Sequence, residues 1–200
     1  MPRAIRRLLP VAVFLICVTG AAAEVVERIV AVVDGDLILL SDLKREAVFF
    51  APGGDGDEAR MLDRLIDARL LLSEAKRFVP DGPTPAQIEK KEAEVVLQFQ
   101  NRDAMRLAWQ SFGLSEKSFR SMVRKRAWID QLLEERVNTL IIVSQKAVDA
   151  YRKEASPQAT ASSPPLDDAA IRQILTQPLA AEKQAAYLLR LRQSAVIEIR

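Results

Sequence analysis

Residues 27–40 read ERIVAVVDGDLILL. Two aliphatic runs flank Asp34-Gly35, a dipeptide that tolerates positive φ at both positions and so suits the tight turn of a β-hairpin. A lone hairpin is marginal in water and needs a further partner. The other end of the chain offers one. In SAVIEIR, residues 194–200, Ala195, Ile197 and Ile199 alternate with Val196, Glu198 and Arg200, the period of a half-buried strand. Pairing this strand with the hairpin brings the two ends together. The pattern between them is helical. The fold class expected is therefore mainly α, with a small antiparallel sheet formed by N- and C-terminal strands.

Working inward, Ser41 reads as an N-cap, with Asp42 in the first turn of a short helix to about Phe50. APGGDGD, residues 51–57, is a loop. Over 58–77, Met61, Leu65, Ala68, Leu72 and Ala75 form one stripe, and Leu62, Ile66 and Leu70 widen it. A helix apolar over so much of its circumference belongs in the middle of a core. VPDGP, residues 79–83, ends it. Thr84-Pro85-Ala86-Gln87 combines a Thr cap, Pro at the first helical position and Gln at the capping-box position, for a helix to about Gln100. A shorter helix spans about 103–112, and Ser115 opens a long one to about Val137. On this long helix Phe119, Met122, Val123, Ile129, Leu133 and Val137 share a broad face, while Trp128 and Leu132 lie away from its centre. Leu140 to Val143 reads as a short strand, and Ser144 caps a helix over about 145–154. ASPQATASSPPL, 155–166, has linker composition. A last helix runs from about Asp167 to Arg192, with Pro178 expected to kink or break it.

Residues 1–23 have the layout of a secretory signal peptide: Arg3, Arg6 and Arg7, an apolar run from Leu8 to Val18, and Ala21-Ala22-Ala23 before the cut. The apolar run falls short of the roughly 20 residues a bilayer span needs. Removing its three arginines from the 29 basic residues leaves 26 against 27 acidic, so a nucleic-acid partner gains no support from net charge. The single cysteine, Cys17, leaves with the leader. The expected mature chain, 24–200, is one domain without disulfides, and no stable membrane insertion follows cleavage.

With no histidine in the chain, Ser-His-Asp and Cys-His nucleophile systems and His-ligated zinc are excluded. The paired acids Asp34/Asp36, Asp55/Asp57 and Asp167/Asp168 fall in expected turns or at a helix start, where Asp has local reasons to be. No enzyme, cofactor or metal is expected.

Taken in order, these segments resemble the SurA family of periplasmic chaperones. ERIVAVVDGDLILLSDL resembles the family's opening strand, turn, strand and helix start; LIDARLLLSEAKRF resembles its next helix. FGLSEKSFRSMVRKRAWIDQLLEERV resembles the turn and long helix with basic residues in its first half. LIIVSQKAVDAYRKE resembles the segment before the isomerase domain, and IRQILTQPLAAEKQAAYLLRLRQSAVIEIR the closing helix and strand. In the family, parvulin-type prolyl isomerase domains lie between those last two segments. Here only 155–166 stands there, too short for a domain of roughly 50 residues, and the missing histidine agrees.

The resemblance implies an ATP-independent holdase that binds unfolded outer-membrane or exported polypeptides through an apolar groove rimmed by charge. The alternative is a periplasmic assembly or adaptor protein that uses the same groove for one folded partner. Oligomeric state is left open. Met and aromatic side chains suit such a groove, because they offer adaptable or large contact area. The peptide-binding candidates are Met105, Trp109, Phe112, Met122, Trp128 and Leu132, with core packing at helical spacing as the competing reading. Phe49-Phe50 is a weaker candidate. Arg120, Arg124, Lys125 and Arg126 could steer acidic segments of clients, or could form a solvated face balanced by Glu134 and Glu135.

Overall fold

The computed structural model describes residues 27–51, 57–155 and 167–200. The signal-peptide expectation for 1–23 and nearly all of the 155–166 linker lie outside the described residues.

Strands β1 (Ile29–Val33) and β2 (Asp36–Leu39) form the expected hairpin. Asp34 and Gly35 both take positive φ, 48° and 87°, the conformation for which this dipeptide is suited. β1 lies in the centre of a three-stranded antiparallel sheet, between β2 and the C-terminal strand β3 (Ile197–Ile199). Asp34 fastens that junction twice: its backbone N–H donates to the Val196 carbonyl (2.9 Å), and its carboxylate accepts from the Val196 N–H (2.8 Å). The two ends of the described chain thus share one sheet.

Among the described residues, seven α-helices follow the hairpin in sequence: α1 (Leu40–Phe49), α2 (Glu58–Phe78), α3 (Pro85–Val96), α4 (Arg102–Ser111), α5 (Glu116–Arg136), α6 (Gln145–Ala155) and α7 (Asp168–Ser194). Among the described residues, most of the buried ones gather in three clusters, and two helices link them. The first half of α2 places Met61, Leu65, Ile66 and Leu70 against the sheet, with Leu191, Ala195 and Ile197 from the closing segment. The second half packs Leu71, Leu72 and Ala75 on Ile129 and Leu132 of α5, beside Tyr187 and Leu188 of α7. In the third cluster, Phe49 of α1 meets Val95, Met105, Phe119 and Val123 of α3, α4 and α5. Helix α2 is apolar on several sides because it serves two clusters along its length. Helix α5 does the same, with Phe119 and Val123 in one cluster and Leu132 in the other.

Three expectations need correction. Helix α1 is capped at Leu39, not at Ser41: the Asp42 carboxylate reaches back to accept from the Leu39 N–H (3.2 Å), while the Ser41 backbone N–H donates to Glu27. The run 140–143 is no strand. Asn138–Leu140 forms a single 3-10 turn, and an extended segment pairing with no described strand follows it. An uninterrupted apolar run carries no alternation, so its composition could not separate strand from coil. Finally, of the kink or break expected at Pro178, the break does not occur: α7 continues through it. Both Pro178 and Ile174 are exposed, so the carbonyl that loses its donor lies on a face open to solvent.

Candidate functional site

A cleft of about 530 Å³ opens where α1, α2 and α5 meet. Its position follows from local structure. The tight turn after α4, held by Gly113 N–H to the Gln110 carbonyl (2.9 Å) and Leu114 N–H to the Trp109 carbonyl (3.0 Å), delivers Leu114 to one edge. Phe50 comes from the end of α1, Leu65 and Leu72 from one face of α2, and Met122 and Ile129 from the facing side of α5. These six make an apolar floor.

The rim is charged. Asp42 holds Arg45 (2.9 Å) and Arg69 of α2 (3.2 Å), fixing α1 to α2. Glu46, whose side chain is only 5% exposed, is ion-paired with Arg126 of α5. The Arg126 guanidinium also lies 4.7 Å from the centre of the Phe50 ring, a cation–π contact that fixes this wall. Lys117 and Lys125 complete the rim. Partial burial, and then the neighbouring charges of Arg69 and Lys76, hold the Lys125 ammonium below the usual lysine range. Such a cleft, apolar in its floor and ringed by fixed charge, can hold a polypeptide segment. Among the described residues, no three acidic, cysteine or histidine side chains gather as a metal site would need, and no helix is long and apolar enough to cross a membrane.

No family model matches the chain. A curated protein does: over 155 residues the chain is 29% identical to Chaperone SurA of Alkalilimnicola ehrlichii, a match covering 71% of this chain and 35% of that protein. The chain is distantly similar to a SurA chaperone. It spans about a third of the length of the curated relative it matches. The SurA-like fold stands as expected: mainly helical, with a small antiparallel sheet built from strands at both ends.

The six candidate residues are dispersed in this SurA-like fold. Met122, half-buried, lines the cleft. Met105 is 2% exposed and belongs to the aromatic cluster around Phe49. Trp109 and Phe112 pack there too, with ring centres 4.8 Å from Phe119 and 5.9 Å from Phe49 respectively. Leu132 is fully buried between α2 and α5. Trp128 pins the 79–83 loop: its indole N–H donates to the Val79 carbonyl (2.8 Å), and the ring lies so close to Gly82 that a Cβ there would sit 3.4 Å from it.

The basic run of α5 divides by helix face. Arg126 meets Glu46, Arg120 approaches Glu92 (3.7 Å), Arg124 stacks on Trp128 and Lys125 borders the cleft. The balancing acids are therefore Glu46 and Glu92, not Glu134 and Glu135, which bond to Asn138 and Gln131. Sequence reasoning missed Leu65, Leu72 and Ile129 as cleft residues because they sit on stripes that also serve the core, and Leu114 because it lies in the turn between α4 and α5, outside any stripe. Phe50 carried a signal as a paired aromatic before a Gly-rich loop.

Proposed function

We propose that this chain is a periplasmic, ATP-independent chaperone that holds unfolded outer-membrane or exported polypeptides in the cleft between α1, α2 and α5. The observation that carries the reading is the cleft itself, an apolar floor of six side chains ringed by charges, on a chain similar to a chaperone. Capture is by burial of apolar client side chains, at about 25 cal/mol per Å² removed from water. The charged rim keeps the empty carrier soluble. Many weak contacts suit release without a nucleotide.

The test is suppression of aggregation of a denatured outer-membrane barrel protein diluted into buffer with the purified chain. The wild type is expected to suppress it at near-equimolar ratio, and Met122→Glu, which puts a charge on the floor, to lose most of that effect with an unchanged melting curve. Suppression unaffected by M122E contradicts the placement of the site. Binding to one folded partner, with no preference for unfolded chains, contradicts the holdase reading and favours the adaptor.

A further inference from the structure

The cleft rim is lopsided in charge. Five cations, Arg45, Arg69, Lys117, Lys125 and Arg126, face two carboxylates, Asp42 and Glu46. Both carboxylates are occupied by arginines: Asp42 by Arg45 and Arg69, Glu46 by Arg126. Among the described residues, Lys117 and Lys125 make neither an ion pair nor a hydrogen bond. Burial first, and then the nearby charges of Arg69 and Lys76, which outweigh those of Asp42 and Asp36, hold the Lys125 ammonium below the usual lysine range. Clefts with low-dielectric walls and one sign of charge concentrate ions of the other sign. An anionic ligand would therefore be favoured here twice, by the free ammonium groups and by relief of the like-charge crowding.

The spacing narrows the ligand further. Lys117 and Lys125 are two helical turns apart on α5, about 12 Å along its axis. An extended polypeptide covers that distance in about four residues. Met122 lies between them on α5, and Phe50 and Leu114 add apolar surface to the same cleft. We propose that the cleft selects unfolded segments in which apolar side chains lie between two carboxylates about four residues apart, Lys117 taking one carboxylate and Lys125 the other. This selectivity rests on the reading of the cleft as the client site.

The experiment is fluorescence anisotropy with two labelled, Gly/Ser-flanked peptides, one containing Glu-Leu-Phe-Leu-Glu and the other Gln-Leu-Phe-Leu-Gln, titrated with the purified chain, its K117Q/K125Q double variant and its M122E variant. Both lysines are exposed and unpaired, so the double variant is expected to melt as the wild type does. At low salt the acidic peptide is expected to bind wild type about tenfold more tightly than its amide twin. The preference should shrink with added salt and vanish in K117Q/K125Q. Equal affinity for both peptides, each weakened by M122E, overturns the charge selectivity and leaves the cleft as the client site. A preference that survives in K117Q/K125Q overturns the assignment to these lysines. Failure of both peptides to bind, while the denatured barrel protein still does, overturns the cleft reading and this inference with it.

Discussion

Glu46 is the buried carboxylate on which the cleft wall depends. Its side chain is almost wholly removed from water, and its ion pair with Arg126 joins α1 to α5 across 80 positions of sequence. Removing one partner of such a pair leaves a buried charge without compensation, at a cost of about 3–5 kcal/mol. Arg126→Gln, which leaves the Glu46 carboxylate buried without its cation, is expected to lower unfolding free energy by roughly that amount in urea titrations; a loss under about 1 kcal/mol would show that the pair is solvated. Trp128→Phe removes the hydrogen bond to Val79 but keeps much of the ring, and a loss of about 1 kcal/mol is expected by the same measurement. At this scale the sequence is least legible. Lys125 and Arg126 are neighbours in the chain but lie about 100° apart around the helix, so one borders the cleft without a partner and the other grips a carboxylate. The hydrogen-bond partner of Trp128 is Val79, 49 residues away, and no local pattern encodes it.

Helix α7 shows how elements respond to their surroundings. Pro178 lies in its interior, where proline is about 3 kcal/mol less favourable than alanine, and the site is exposed. Pro178→Ala is expected to raise stability by about 1–3 kcal/mol, read as an upward shift of the denaturation midpoint; a lower midpoint would show that the ring packs favourably. The start of α7 is tied to α6 by Asp168, which accepts from Gln145 (3.0 Å) and pairs with Arg152. The Gln145 hydrogen bond, then Arg152, hold the Asp168 carboxyl below its ordinary range. A carboxyl shifted this way contributes stability that is present above its ordinary value and is lost as pH falls through the depressed one. A carboxyl NMR titration should place Asp168 below an ordinary aspartate, and Arg152→Gln should move it upward; no movement would contradict the attribution. The starts of helices with a cap and a clear stripe were legible within a residue or two: Thr84 and Gln87 form the capping box that their spacing implies, although α3 ends at Val96 rather than near Gln100. What escaped were choices set by tertiary surroundings. Asp42 outcompeted Ser41 at the start of α1, and the run 140–143, lacking a strand to join, became an extended segment with Ile142 89% exposed.

The whole molecule is closed by its C-terminal segment. Helix α7 lays Leu191, Tyr187 and Leu188 against two core clusters, Arg192 donates to Asp67 (2.6 Å) and Asp63 (3.2 Å) of α2, and β3 completes the sheet on β1. Deleting 167–200 exposes both clusters and leaves a bare hairpin, so loss of cooperative unfolding is expected; an intact melt would contradict closure by this segment. The meeting of the two ends was legible because the hairpin needed a further partner and the alternating run at 195–200 had the period of a half-buried strand. The cleft was not, because it lies where three helices meet, and each contributes residues that read singly as core. The central claim, that this cleft holds unfolded chains, is tested most directly by photo-crosslinking. A photoreactive side chain placed at Met122, and in a second variant at the exposed Leu107 of α4, is irradiated with a denatured outer-membrane barrel protein present. The account expects strong adducts from position 122 and few from position 107. Equal adducts at both, or adducts confined to 107, would contradict it.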